Sequence, residues 1–415
     1  MGVGAAMTFP STLSLIRNIF TDRAERARAI GIWGATAGIA IAVGPIAGGW
    51  LLEHFSWSSI FFAMGPVALI AFVLVALTVP TSRDPAAHPV DLLGLVLSTG
   101  AVTLLIYTII QAPAEGWTAG RTIAGFVGTA VLAVLFVVRE RRVTDPMLDV
   151  RLFRNMRFTA ASVAVTVAFF TLFGFIFLMT QYFQFVRDYG PLETGLRLLP
   201  VALSVGVGSI VGTQLAVRAG TKLVVSAGLV LITAFYLWVA LSISTSLPYG
   251  VIAAQMVVYG LGLGLTSAPA TESIMGAVSA RQAGIGSAVN DATRLLGGTL
   301  GVAIIGSVAA SAYTSRLARD LPPGVPDQVT ATASQSVGAA IAVSRRLAAT
   351  GNGQLGAEVH AIASNAFIHS VGIGCLVAAG VAAAGALLAV GFVPAQPLVL
   401  EAELPDRDVA LTASA

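Results

Sequence analysis

The sequence predicts an all-α protein that crosses a membrane many times, on the basis of composition, the number of apolar runs and the placement of arginine. Of the 415 residues, 56% are hydrophobic and only 10% are charged, and the mean hydropathy is +0.87. A soluble domain usually carries about 25% charged residues. We therefore expect lipid to be the solvent for most of this chain.

Eleven apolar segments approach the length of about 20 residues that a helix needs to cross the hydrocarbon core of a bilayer. These predicted spans lie near 2–16, 29–52, 58–80, 92–111, 122–138, 159–180, 195–217, 223–243, 249–270, 284–311 and 364–393. The segment between the last two, about 313–360, is rich in Ala, Ser and Pro. We expect it to be a long loop that includes a helix lying on the surface.

Arginine predicts the orientation of the spans. The basic stretches RNIFTDRAERAR at 17–28, RERRVTDPMLDVRLFRNMR at 139–157 and the turn at 218–222 fall on one side if the spans alternate. Cytoplasmic loops carry an excess of Lys and Arg. We therefore expect these stretches and the C-terminal tail to lie in the cytoplasm, with the long loop outside.

The second predicted span ends in residues 38–50, GIAIAVGPIAGGW, which are unusually rich in helix breakers. The spacing of its glycines predicts a smooth stripe on one helix face, where small residues let another backbone approach closely. Pro45 removes one helical hydrogen bond and bends the helix. Two interpretations remain open, namely close packing without motion and a bare face that rocks against a neighbouring helix.

These residues resemble a known motif. GIAIAVGPIAGG is similar to the antiporter motif of the fifth helix in the major facilitator superfamily, in particular its fourteen-helix drug/proton antiporter branch. FSWSSIFFAMGPVAL, DPMLDVRLFRNMRFTAAS and GIGSAVNDATRLLGGTLGVAIIGS resemble the start of the sixth helix, the segment before the ninth and the thirteenth helix. The resemblance extends to about residue 393 and marks as motif residues Gly38, Gly44, Pro45, Gly48 and Gly49.

The resemblance also implies a domain organisation. The eleven spans match family helices four to fourteen, so helices one to three are expected to be absent. Residues 1–80 are then the second half of the N-terminal bundle, 81–138 a two-helix insert and 139–157 a cytoplasmic linker. The C-terminal six-helix bundle covers 158–393, with the long outer loop at 313–360, and the tail covers 394–415.

A second family motif is only partly present. LAVRAGTK at 215–222 resembles the second-half copy of the cytoplasmic loop motif and keeps Arg218, Gly220 and Lys222. Val217 stands where the family usually has aspartate. The charge contact that this motif forms in the family is therefore in doubt here.

Few ionisable groups lie inside the spans, and such groups are functional by default. Asp291 and Arg294 are three residues apart, share a helix face and are expected to pair, with Asn290 beside them. This pair either only locks helix packing or lines a transport path in which Asp291 exchanges a proton. Glu272 is either a solvated charge at the end of a helix or a site where protons enter.

The aromatic residues of one span are also candidates. Phe169 and Phe173 belong to a dense run that continues with Phe175 and Phe177. Packing against lipid is the commoner cause of such a run, and a pocket for flat apolar drugs, or for cations that ring faces attract, is the alternative.

Cofactors and metals are not expected. Cys375 is the only cysteine, and the spacing of His360 and His369 places them on opposite helix faces. The glycines of GLGLG at 260–264 lie mid-span without the GK[ST] of a phosphate loop, so energy from ATP is not indicated. The net charge of +3 is too small to indicate nucleic acid.

The sequence therefore predicts a secondary transporter in the plasma (inner) membrane, with small molecules, protons and the lipid bilayer as its partners. Proton-coupled efflux of drugs or amphipathic molecules by alternating access is the favoured function. Transport of one defined metabolite, an inactive truncated transporter and a membrane-embedded enzyme that uses Glu272, Asp291 and a histidine are the alternatives. The sequence predicts no oligomeric state.

Overall fold

The structure is a computed structural model that describes residues 2–20, 22–79, 91–143, 146–148, 150–278, 282–322 and 325–393. These residues form helices and connecting turns, and no strand occurs among them. The helices are α1 (Gly2–Ile19), α2 (Arg23–His54), α3 (Ser59–Thr78), α4 (Leu92–Glu115), α5 (Gly120–Arg142), α6 (Met156–Gln181), α7 (Pro191–Arg197), α8 (Leu199–Ala219), α9 (Thr221–Ser242), α10 (Tyr249–Gly276), α11 (Ala283–Asp320), α12 (Asp327–Ala333), α13 (Val337–Ala349) and α14 (Gly353–Phe392). A 3-10 turn at Val150–Arg154 precedes α6, and a π-helical turn at Tyr182–Val186 follows it.

Polar side chains cap several helix starts, where backbone N–H groups have no partner within the helix. The Asp22 carboxylate accepts hydrogen bonds from the N–H groups of Ala24 and Glu25, at 2.8 and 3.0 Å, and so fixes the start of α2. Asn155 caps α6 in the same way, through the N–H of Arg157 at 3.0 Å. These caps set where the long apolar helices begin.

Ten of the described helical segments are long and apolar enough to cross a membrane. They coincide with ten of the eleven predicted spans, and the eleventh prediction, 2–16, falls in α1, which is helical but is not among these ten. The segment at 313–360 was predicted as a long loop that includes a helix, and it holds more helix than expected. α11 continues to Asp320, α12 and α13 follow, and α14 begins at Gly353.

The largest buried core is built from residues of α6, α8, α9, α10, α11 and α14. Its centre is an aromatic cluster in which the ring centroids of Phe175 and Phe235 lie 5.7 Å apart and those of Phe235 and Tyr259 lie 4.6 Å apart. The Tyr236 hydroxyl donates a 2.5 Å hydrogen bond to the carbonyl of Thr171, joining α9 to α6. These contacts hold the predicted C-terminal bundle together as one unit.

The remaining helices attach to this core in different ways. α4 and α5 pack on each other, and α4 rests on α11, where the Ser307 hydroxyl donates to the carbonyl of Ile109 at 2.9 Å. α2 lies along α8 and α7, α1 lies against α11, and α3 has no buried residue. The predicted division into 1–80, 81–138, 139–157 and 158–393 stays a prediction, and the tail, 394–415, lies outside the described residues.

Candidate functional site

One face of α2 approaches other helices at backbone distance. A Cβ at position 38 would lie 2.8 Å from the carbonyl oxygen of Ala202 in α8. A Cβ at position 49 would lie 2.6 Å from the carbonyl oxygen of Pro191 and 2.7 Å from the Cα of Leu192 in α7. Real Cβ atoms essentially never approach other atoms this closely. Glycine is therefore the residue that fits at Gly38 and Gly49.

Pro45 lies on the same face, seven residues after Gly38 and four before Gly49. A Cβ at position 195 of α7 would lie 2.6 Å from the Pro45 carbonyl oxygen. α2 nevertheless runs unbroken through this proline to His54. The contact between α2 and the α7–α8 segment thus extends along the predicted antiporter motif.

Gly44 and Gly48 do not belong to this face. No described atom of another helix lies within 4 Å of a Cβ built at either position. A helix turns by about 100° per residue, so positions 48 and 49 point in clearly different directions. Of these two neighbouring motif glycines, Gly49 therefore meets α7, whereas Gly48 does not.

A chain of four polar side chains crosses from α10 to α11. The Arg294 guanidinium donates to the hydroxyl of Thr271 at 3.0 Å, and that hydroxyl donates to the amide oxygen of Asn290 at 3.0 Å. The Asn290 amide in turn donates to Asp291 at 3.5 Å. The sequence predicted the three α11 residues but missed Thr271, because hydroxyls are frequent in these spans and carry no charge signal.

Arg294 and Asp291 are not the direct ion pair that the sequence predicted. No ion pair joins them among the described residues. The Asp291 side chain is only 8% exposed, and its Oδ2 has no hydrogen-bond partner in the described part of the chain. Both interpretations of these residues, a lock on helix packing and a lining of the transport path, therefore stay open.

The Arg294 guanidinium lies instead between two aromatic rings. Its Cζ is 4.5 Å from the ring centroid of Trp33 in α2 and 4.7 Å from that of Phe169 in α6. The indole N–H of Trp33 points to the hydroxyl of Thr12 in α1 at 3.3 Å. The sequence gave no sign of Trp33, because this contact joins residues more than 250 positions apart.

Glu272 is 3% exposed, so the interpretation of a solvated helix-end charge is wrong. A buried carboxylate is stable only when it is paired or hydrogen-bonded. Close by, Arg157 of α6 donates from Nε to the hydroxyl of Ser273 at 3.1 Å. A Cβ at position 276 would lie 3.0 Å from Arg157 Nη2 and 3.8 Å from Glu272 Oε1, so these two side chains occupy one polar region at the end of α10.

The phenylalanines of the predicted run lie in different environments. Phe175 is buried among aromatic rings of the core, which neither of the two sequence interpretations anticipated. Phe173 is 42% exposed and lies over Gly298, where a Cβ would be 2.8 Å from its ring. Phe169 is partly buried beneath Arg294, so it is the member of the run that meets a cation.

The loop motif forms the turn between α8 and α9. Gly220 has a φ of +91°, a conformation that favours glycine. Arg218 is exposed, and Lys222 is partly buried in the first turn of α9. The backbone conformation therefore explains the glycine at position 220, whereas the roles of Arg218 and Lys222 stay predictions.

A further polar cluster, which the sequence analysis missed, joins α4, α5 and the linker. Asp91 caps α4 through the N–H of Gly94 at 3.1 Å and accepts from Arg139 at 3.3 Å through both carboxylate oxygens. The Gly94 N–H, and then Arg139, hold the pKa of the Asp91 carboxylate below its usual range. Glu140 accepts from the N–H of Leu148 at 2.9 Å, which ties the linker to α5.

No group of three or more His, Cys, Asp or Glu side chains that could hold a metal ion occurs among the described residues. Cys375 is buried.

Comparisons with known proteins agree with the resemblance of the motifs. A family model described as Major Facilitator Superfamily matches residues 1–302. Multidrug efflux pump LfrA of Mycolicibacterium smegmatis is 37% identical over 355 residues, which are 86% of this chain and 70% of that protein. Multidrug resistance protein Stp of Mycobacterium tuberculosis is 36% identical over 333 residues, or 79% of this chain and 61% of that protein.

A third relative covers more of the chain. The tetracenomycin C resistance and export protein of Streptomyces glaucescens is 32% identical over 404 residues, which are 95% of this chain and 74% of that protein. The chain thus spans between 61% and 74% of the length of these three relatives.

Proposed function

Because the chain belongs to the major facilitator superfamily, a family of membrane transporters and not of enzymes, we propose that it is a secondary active transporter that exports drugs or other amphipathic molecules in exchange for protons. The printed names of its relatives, multidrug efflux pump and resistance and export protein, support export as the direction. The predicted spans and their agreement with ten apolar helices support a multi-pass position in the membrane.

The observation that carries the exchange is the buried carboxylate of Asp291 in the polar chain between α10 and α11. A carboxylate in a membrane span is costly when ionised and unpaired, so it readily takes up a proton. Asp291 is the proton carrier in this proposal, and Glu272 with Arg157 forms a second protonatable region nearer the end of α10. Phe169, Phe173 and Asn290 line the substrate path.

The helix contacts support alternating access as the mechanism. α2 meets α7 and α8 through Gly38, Pro45 and Gly49, with no side chain between the backbones. Such a face can part and close without interlocking side chains. In the proposal this motif is where residues 1–80 rock against 158–393.

Orientation is part of the same proposal. The chain lies in the plasma (inner) membrane, with the linker at 139–157 and the C-terminal tail in the cytoplasm. The six arginines of 139–157 support this orientation through the excess of positive charge in cytoplasmic loops.

The test is the accumulation of a fluorescent cationic dye, ethidium, in cells that express the chain. We expect lower accumulation than in control cells, and we expect the difference to vanish when the proton gradient is collapsed while ATP is maintained. Asp291→Asn should abolish the difference, whereas Asp320→Asn, at an exposed i,i+4 ion pair of the same helix, should not. Dye export that persists without a proton gradient would refute proton exchange, and movement of one metabolite alone would favour a dedicated transporter.

A further inference from the structure

The slot between Trp33 and Phe169 holds a flat cation that belongs to the protein itself. The guanidinium of Arg294 lies at 4.5 Å from one ring centroid and at 4.7 Å from the other. Aromatic ring faces attract cations, most strongly when water is excluded. The slot therefore has the shape and the electrostatics to hold a planar group with a delocalised positive charge.

The Arg294 side chain has a second possible partner. Asp291 lies three residues earlier on the same helix, and side chains at this spacing are neighbours. Both Asp291 Oδ2 and Arg294 Nε are buried without a hydrogen-bond partner among the described residues. A change of side-chain rotamer that brings these atoms together would satisfy both of them and would empty the slot.

The charge of Asp291 decides between the two places. Asp291 and Arg294 act on each other electrostatically. Glu272 and Arg157 lie at the Gly276 end of α10, whereas Thr271, one residue earlier, faces α11. An ionised Asp291 draws the guanidinium away from the rings, and a protonated Asp291 does not.

We propose that the slot between Trp33 and Phe169 binds the flat, positively charged part of a substrate, and that Arg294 competes for this slot under the control of Asp291. When Asp291 is ionised, Arg294 pairs with it and the slot is open to substrate. When Asp291 takes up a proton, Arg294 enters the slot and displaces the substrate. Proton and substrate then exclude each other without touching, and this inference rests on the proposed function of proton-coupled export.

The direction of exchange follows from this competition. A proton that arrives from the more acidic side drives Arg294 into the slot and releases the substrate there. Loss of the proton on the other side frees the slot for the next substrate. Trp33 is in α2 and Phe169 is in α6, so an occupied slot also bridges the two parts of the chain that are proposed to move.

The test is binding of ethidium to the purified full chain, measured by fluorescence anisotropy at pH 5.5 and pH 8.5. We expect wild type to bind about tenfold more tightly at pH 8.5, since one cation–π site is at stake. Asp291→Asn should bind weakly at both values, because Arg294 then stays in the slot. Trp33→Leu should bind weakly at both values, and Trp33→Phe should keep the pH dependence.

The decisive variant combines Asp291→Asn with Arg294→Ala. It leaves the slot empty and should bind ethidium at both pH values as tightly as wild type does at pH 8.5. A direct contact between Asp291 and the substrate predicts instead that this variant binds no better than Asp291→Asn. Arg294→Gln, which keeps a polar group beside Thr271, replaces Arg294→Ala if that variant is not folded.

The two levels of the proposal fail separately. No recovery of binding in the double variant, or pH-independent binding by wild type, overturns the slot even where wild-type cells export the dye against a proton gradient. Loss of proton-dependent export in wild-type cells overturns the proposed function, whatever the binding shows.

Discussion

Substitution of Gly49 by alanine tests whether the close contact between α2 and α7 matters for transport. The added Cβ would lie 2.6 Å from Pro191 O and 2.7 Å from Leu192 N, against an ordinary contact distance of 3.4–4 Å. Both partners are backbone atoms, so no side chain can turn away, and the two helices must separate by roughly 1 Å. Overpacking of this kind costs about 1–3 kcal/mol.

This energy acts on the state in which α2 and α7 touch. A free energy of that size shifts a two-state equilibrium by about 5- to 150-fold. We expect Gly49→Ala to slow dye export at least about fivefold at matched amounts in the membrane, with a lower midpoint of thermal unfolding for the purified protein.

Gly48→Ala is the matched control, since the neighbouring residue has no described atom within 4 Å of the added Cβ. It should export at nearly the wild-type rate, because alanine is also the better helix former. The sequence marks both glycines as motif residues, and the structure separates them. Equal export by the two variants would show that the contact seen here has no part in the transport cycle.

Three further variants test other parts of the structure. Thr271→Val removes the hydroxyl that links Arg294 to Asn290 while keeping the side-chain shape. It should reduce the pH dependence of dye binding, because Arg294 loses a contact that holds it in the slot, and it should lower the midpoint of thermal unfolding, because buried polar groups lose a partner. Asp91→Asn should lower the thermal stability of the purified chain at pH 7, and the difference from wild type should shrink as pH falls below about 3.9: a folded pKa held below its usual range gives stability that is fully present above the unfolded pKa and is lost as pH falls through the folded pKa. Met147→Cys, at an exposed position of the linker, tests orientation. It should resist an impermeant thiol reagent added to intact cells, and rapid labelling from outside would reverse the proposed topology.

The sequence predicted the helices well because lipid imposes a simple rule. Backbone polar groups inside a bilayer must be satisfied within the segment, so long apolar runs become helices. Ten of the eleven predicted spans are apolar helices of sufficient length. The rule gives no prediction at 313–360, because those residues are more polar and need not cross the membrane. There α11 and α14 extend as helices beyond their apolar runs.

The details of the site depended on contacts that the sequence does not encode locally. The spacing of the glycines predicted a bare face on α2. Spacing alone did not separate Gly48 from Gly49, which point in different directions. Asp291 and Arg294 lie on the same helix as predicted, but Arg294 contacts Trp33 and Phe169, which come from distant parts of the chain, instead of forming a direct ion pair with Asp291. Glu272 was judged by its position near a helix end, and its burial follows from helices that pack over it.

The proposed slot and the glycine face lie on the same helix, α2. Trp33 and Gly49 are sixteen residues apart on one continuous helix, or about 24 Å at 1.5 Å per residue. Between them α2 meets α8 at Gly34 and Gly38, where a Cβ would lie 3.2 and 2.8 Å from atoms of Ser209 and Ala202. Under the proposal, a flat group that enters or leaves beside Trp33 would shift α2, whose contacts with α8 and α7 are at backbone distance. A small movement at the slot would then open or close the α2–α7 contact, because packed interfaces favour discrete arrangements over continuous deformation.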